Sequence, residues 1–192
     1  MIGNDIVDLK QAKIESNWQR KGFLKKVFTE EEQTIILNAN NSFKMVWKIW
    51  AMKESSYKIY LQQQNHRFFD PKKIQCKLFD KKNGSVIIHK KEFQIFSRIT
   101  DNYICTIATL KKSDQIIESQ FYISDKNYAN QHKEVRKRLK CKVAEQWKIP
   151  LRDLSVRKNK KGIPGLYQNN IPLDLAFSIS HHGNYGAYSI LN

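Results

Sequence analysis

Two stretches of this chain repeat one order of residues, and that repetition restricts the fold more than any other feature. Pro71-Lys72-Lys73-Ile74-Gln75-Cys76-Lys77, running on to Lys81-Lys82-Asn83-Gly84, is echoed by Pro150-Leu151-Arg152-Asp153-Leu154-Ser155-Val156, running on to Lys158-Asn159-Lys160-Lys161-Gly162. Asn102-Tyr103 before one apolar run is matched by Asn184-Tyr185 before the last, and a long stretch without Gly or Pro precedes each unit. A repeated unit must bury its apolar face, and the other copy supplies a matching surface. The repetition predicts an α+β chain of two similar helix-plus-antiparallel-sheet units, related by a pseudo-twofold axis. The units are residues 1–112 and 113–192, with the seam near 111–120. Chance similarity in a chain rich in Lys, Asn and Ile is the plain alternative.

Within this frame, Met1 to Leu9 reads as a buried strand that ends in acids. Thr29 with Glu32 three residues on is a capping-box signature for a helix start. From Phe43 to Gln63 the pattern is helical, and Trp47, Trp50, Ala51, Glu54 and Lys58 share a face. Ile74–Leu78 alternates as a strand, Asn83-Gly84 signals a hairpin turn, and Ser85–His89 is the return. Tyr103–Leu110 is a further strand, Lys111–Glu118 a polar connection, and 126–147 a second long helix.

Charge and cysteine usage narrow the function. The chain of 192 residues has 41% hydrophobic residues, ordinary for a globular protein, but 34 Lys+Arg against 18 Asp+Glu leaves +16. Such an excess costs self-repulsion and points to an anionic partner. Cys76, Cys105 and Cys141 have neither zinc-ligand spacing nor an even count for closed disulfides, which suits a reducing, cytoplasmic compartment. Asp5 and Asp8 interrupt the N-terminal apolar stretch, unlike a signal peptide, and no run of 18 apolar residues suits a membrane span.

Three clusters carry possible chemistry. Gly3-x-Asp5-x-x-Asp8 places carboxylates on an apolar strand, where burial is costly unless they are paired or bound to a cation; a strand-end cap is the ordinary explanation. Glu54 and Lys58, four apart on a helix, are either a solvated pair or, because they share a face with Trp47 and Trp50, part of a site. Gly162-Ile163-Pro164-Gly165 and Phe177-Ser178-Ile179-Ser180-His181-His182-Gly183 put hydroxyls and imidazoles beside a glycine; a polar strand end is the alternative. Two carboxylates with nearby Lys and His have the composition of a phosphate site holding Mg²⁺. There is no Walker A or kinase Gly-rich loop.

Taken together, these residues resemble the 4′-phosphopantetheinyl transferase superfamily. Its Gly-x-Asp strand appears as Gly3-Asn4-Asp5, and its Trp-Ala-x-Lys-Glu-Ser-x-x-Lys helix as Trp50 to Lys58. Its Gly-Lys-Pro and Ser-Ile-Ser-His-Ser-Gly segments appear as Gly162-Ile163-Pro164 and Ser178 to Gly183, and its Phe-x-x-x-Glu element as Phe28 to Glu32. Gly-x-Asp comes first and Ser-His last, as in the short, trimeric holo-acyl-carrier-protein synthases. The length and two units are closer to the surfactin-synthetase-activating type. The resemblance therefore implies a monomeric pseudo-dimer with the halves of that larger type exchanged and the site at the internal seam. Ile163 stands in place of a common Lys, and His182 in place of Ser or Thr.

The resemblance implies transfer of the 4′-phosphopantetheine group of coenzyme A to a serine of an acyl or peptidyl carrier protein, with 3′,5′-ADP released. It also implies Mg²⁺ on Asp5 and Glu54, with Asp8 a further candidate ligand. Coenzyme A contacts fall to Lys53, Lys58, Ser180 and His181. Catalytic roles fall to Glu54, Lys58 and Glu32, with Glu54 or a water held by it or by Glu32 taking the serine proton. The basic helix carrying Lys133, Arg136, Lys137, Arg138, Lys140 and Lys142 is either a steering surface or a solvated face. The rivals are a non-catalytic basic nucleic-acid-binding module, which leaves Lys53-Glu54 and the Ser-His segment unexplained, and an inactive relative that binds coenzyme A.

Overall fold

The structure, a computed structural model, describes residues 1–64, 69–111, 115–125, 127–160 and 162–192. It opens on β1 (Ile2–Asp8), where Ile2, Asn4 and Ile6 share one face and Gly3, Asp5 and Val7 the other. Asp8 caps α1 (Leu9–Glu15) by accepting from the amides of Lys10 and Gln11. After α2 (Phe23–Val27), α3 (Glu30–Leu37) starts at the expected capping box: the Thr29 hydroxyl accepts from the Glu32 amide at 3.2 Å, and the Glu32 carboxylate from the Thr29 amide at 2.9 Å. The long helical pattern becomes α4 (Ser42–Gln63), capped by the Asn41 side chain. It lies directly against β1 because residue 3 is glycine, since a Cβ there would overlap the Ser55 carbonyl.

A 3₁₀ turn at Pro71–Lys73 leads into β2 (Ile74–Leu78), β3 (Asn83–Ile88), β4 (Lys91–Ile99) and β5 (Tyr103–Thr109). With β1 they make an antiparallel sheet in the order β1-β5-β4-β3-β2. One face of this sheet packs on α4, around Phe28, Ile36, Ile49, Met52, Ile59, Val86, Phe93 and Ile104. The hairpin turn lies earlier than the Asn83-Gly84 dipeptide predicts. Asp80 makes it, accepting from the Lys82 amide and from the Asn83 amide and side chain, while Gly84 pairs with Leu78 inside the ladder. Strand β4 was not expected. The reversal before it is made by His89 and Lys90, at φ of 47° and 67°, without the Asn or Gly that signals such turns.

The remainder follows a similar order: β6 (Ile116–Tyr122), α5 (Tyr128–Trp147), a 3₁₀ turn at Leu151–Asp153, β7 (Leu154–Lys158), β8 (Pro164–Gln168), β9 (Ile171–Pro172), β10 (Phe177–His182) and β11 (Tyr185–Leu191). The sheets are β10-β11-β6 and β7-β8-β9. Val135, Leu139 and Val143 of α5 pack with Phe121, Leu154, Leu166 and Ile190. Strand β6 takes the last three residues of the connection expected at Lys111–Glu118. Its polar character follows from what it faces, since Glu118 meets Arg98 of β4 at 2.8 Å. The expected helix start at Lys126, part of the seam (112–114) and Lys161 of the echoed segment lie outside the described residues.

The five-stranded sheet and the β10-β11-β6 sheet meet around Ile6, Cys105 and Ala187, flanked by Tyr103 and Tyr185. There β10 runs parallel to β1 without a backbone ladder. The Asn4 amide donates to Ser178 Oγ and the Asp8 amide to His182 Nδ1, each at 2.9 Å. No described helix is long and apolar enough to cross a membrane.

Candidate active site between β1, α4 and β10

The close contact at Gly3 brings the α4 face carrying Glu54 and Lys58 beside Asp5. Lys58 Nζ donates to the Asn4 carbonyl at 2.6 Å and to Asp5 Oδ1 at 3.4 Å. The Asp5 side chain is 17% exposed and that of Lys58 31%, so the pair borders solvent without being flooded by it. Burial raises the Asp5 carboxyl above its ordinary range, and Lys58 partly offsets this. Burial, then the nearby Asp5 charge, lifts the Glu54 carboxyl to about 7, again against the pull of Lys58.

A cleft of about 360 Å³ opens here, with Asp5 and Lys58 on one wall and Ser180 and His181 on the other. Its rim adds Tyr128 and His132 of α5, Lys158 of β7 and the Gly162–Pro164 turn. His181 Nδ1 lies 2.8 Å from Gln131 Oε1, while Gln131 Nε2 donates to the Gly183 carbonyl at 2.6 Å. An amide oxygen only accepts, so Nδ1 carries the imidazole proton and Nε2 is left as an acceptor. Burial, followed by the neighbouring His132 and Lys58, pushes the His181 imidazole down to about 4. Ser180 is buried, and its Oγ has no hydrogen-bond partner among the described residues.

Three residues predicted for the site are engaged elsewhere. Lys53 was expected to hold coenzyme A, yet it is fully buried. Its Nζ meets Glu32 at 2.8 and 2.7 Å and donates to the carbonyls of Pro71 and Ile74. Glu32, expected to help remove a proton, is 1% exposed and also accepts from the amides of Thr29 and Cys76. Neither reaches the cleft: Lys53, next to Glu54 on α4, points into the core, and Glu32 of α3 meets it there. Asp8, expected as a metal ligand, accepts from Lys10 and Gln11 at Oδ1 and from the Asn184 amide at Oδ2, and is 3% exposed. Tyr128, His132 and Lys158 were missed in the sequence; the i, i+4 spacing of Tyr128 and His132 just after the Asn127 cap was the available signal.

The donor set suits one hard cation. Among the described residues no three His, Cys, Asp or Glu side chains form a metal-holding group. Asp5 and Glu54 nevertheless form a half-buried carboxylate pair whose charges oppose each other, and Mg²⁺ commonly takes one or two protein carboxylates with the rest from water or phosphate. That pair fits; Asp8 does not.

The profile of the 4′-phosphopantetheinyl transferase superfamily matches residues 1–108. No curated protein matches the chain. Among solved structures, the chain is similar to Thermotoga maritima holo-[acyl-carrier-protein] synthase at 12% identity and a TM-score of 0.45, covering 89% of this chain and 83% of that one. The matched span of the family contains Asp5 and Lys58, which line one wall of the cleft, and Glu54 beside them. On that match, which takes in more than half of the sequence, the chain belongs to the 4′-phosphopantetheinyl transferase superfamily.

Proposed function

We propose that the chain transfers the 4′-phosphopantetheine group of coenzyme A to a serine hydroxyl of an apo acyl or peptidyl carrier protein in the cytoplasm, with Mg²⁺ as cofactor. One observation carries this reading: the cleft sets acidic and basic groups, whose charged forms burial disfavours, on opposite walls. At one wall the Asp5 carboxyl, and that of Glu54 beside it, are held above their ordinary range, which a cation relieves. On the other, the His181 imidazole is held neutral among Lys58, His132 and Lys158, which an anion relieves. A phosphate ester with its divalent counter-ion satisfies both.

In this reading the serine oxygen bonds to the β-phosphorus of coenzyme A, the bond to the bridging oxygen breaks, and 3′,5′-ADP leaves. Mg²⁺, when bound, supplies neutralisation of the diphosphate, and Asp5 and Glu54 would hold it. Lys58 places a fixed cation beside the same oxygens, where charge develops. His181 and Ser180 face the phosphates and keep them in line for attack. The serine proton passes to Glu54 or to a water that it holds.

We also read residues 1–112 and 113–192 as two copies of one unit within a monomer. Strand, long helix, 3₁₀ turn and hairpins recur in that order, which supports this reading. Incubation with coenzyme A, Mg²⁺ and an apo carrier protein, followed by mass spectrometry of the carrier, tests the activity. A gain of one phosphopantetheine is expected. An unchanged carrier with each acyl, polyketide and peptidyl carrier tried would refute it and favour the non-catalytic nucleic-acid-binding module.

A further inference from the structure

His182 stands where the family pattern has a small hydroxyl residue, and on β10 it alternates to the face opposite His181. Its Nδ1 accepts the Asp8 amide at 2.9 Å, so the ring proton sits on Nε2, which lies 3.1 Å from Glu15 Oε2. The Asp8 carboxylate returns the contact by accepting the Asn184 amide at 2.8 Å, and the Gly183 turn between them has φ of 56°. Upstream, Ser178 Oγ accepts the Asn4 amide. These two stitches, Asn4 to Ser178 and Asp8 to His182, bracket Asp5 on one strand and Ser180 and His181 on the other. No backbone ladder joins the strands, so side chains set their register.

We propose that His182 is a positioning residue: its Nδ1, by holding the Asp8 amide, fixes the parallel register of β10 on β1 and so keeps Ser180 and His181 opposite Asp5. The purpose of that register rests on the transferase reading above. The contact with Glu15 is secondary, because it lies on the exposed side and ties β10 only to α1.

The two ring nitrogens can be separated by substitution. In His182→Asn the amide oxygen falls near the place of Nδ1 and keeps the Asp8 contact; in His182→Gln the longer amide reaches toward Glu15 and loses it. Hydrogen exchange of the Asp8 amide is expected to stay slow in the parent and in His182→Asn, and to accelerate about tenfold in His182→Gln. In the carrier-protein assay, His182→Gln is expected to lower kcat about 10- to 100-fold with KM for coenzyme A within about threefold, while His182→Asn stays near the parent. Glu15→Ala is expected to behave as the parent in both. If His182→Gln does not unfold cooperatively, His182→Ser, too short to reach the amide, takes its place. Equal exchange in the Asn and Gln variants, equal kcat in the two, or loss of kcat in Glu15→Ala overturns the proposal. A parent that transfers nothing defeats the transferase reading instead, and Asp8 exchange then decides the role of His182 alone.

Discussion

Replacing Lys53 by methionine keeps most of the side-chain volume and removes the charge together with its hydrogen-bond donors, which makes it a direct test of the buried ion pair. In the parent, Lys53 and Glu32 are 0% and 1% exposed, and Nζ lies 2.8 and 2.7 Å from the two carboxylate oxygens. Without Nζ, Glu32 retains the amides of Thr29 and Cys76 but loses its counter-charge, and the carbonyls of Pro71 and Ile74 lose a donor. Removing one partner of such a pair costs about 3–5 kcal/mol. For a chain of this length each kcal/mol lowers Tm by about 2–4 °C, so a fall of about 6–20 °C is expected. The double variant Lys53→Met/Glu32→Gln leaves no uncompensated charge and is expected to recover at least about 1 kcal/mol relative to the sum of the single changes. Urea unfolding followed by tryptophan fluorescence measures all three. The reasoning fails if Lys53→Met unfolds within about 0.5 kcal/mol of the parent. It fails equally if that variant keeps its stability and loses coenzyme A affinity, since Lys53 would then act in the cleft and not in the core.

Other outcomes follow from the same geometry. Asp5→Asn and Glu54→Gln each remove one carboxylate of the proposed cation pair; both are expected to abolish phosphopantetheine transfer while leaving Tm at or above the parent's, because each relieves a buried charge, and turnover within tenfold of the parent would contradict the assignment. His181 titrates near 4 in the free protein, below the ordinary imidazole value of 6.5, so at pH 5.5 it is neutral until an anion arrives; coenzyme A binding is expected to take up a proton there and none at pH 8. Titration calorimetry in buffers of different ionisation enthalpy reads this uptake, and its persistence in His181→Gln would refute the contact. Gly183→Ala puts a Cβ into a positive-φ position against Asp8 and Gln11; a loss of about 1–3 kcal/mol in urea unfolding is expected, and an unchanged midpoint would show that the turn is not held as described.

Much of the framework was legible because local rules and tertiary packing agree. The Thr29–Glu32 capping box and the Gly- and Pro-free runs of α4 and α5 appear where periodicity places them. The failures share a cause: a residue's partner lies far away in the sequence. Asp80 outcompetes Asn83-Gly84 for the turn because Gly84 is needed in the ladder, where a Cβ would meet the Lys77 carbonyl and Met52. The start of strand β6 reads as a loop because Glu118 pairs with Arg98 of the facing sheet, with Gln120 donating to Glu118 from the same strand. Within the candidate site, Asp5, Glu54 and Lys58 were readable as a spaced motif. The engagement of Lys53 and Glu32 in the core was not, since charged residues seldom lie in the interior and only a counter-charge 21 positions away makes it tolerable.

Asn4 and Ser178 are 174 positions apart, yet they touch. By Thr109 the nascent chain already has its larger sheet and the helix laid on it, but no second wall exists until Phe177–His182 has been made and docked. Contacts of such long range close slowly, after local ones have settled. The first part of the polypeptide can therefore collapse into its own core before the cleft exists, and the cleft is completed only when β10 docks on β1.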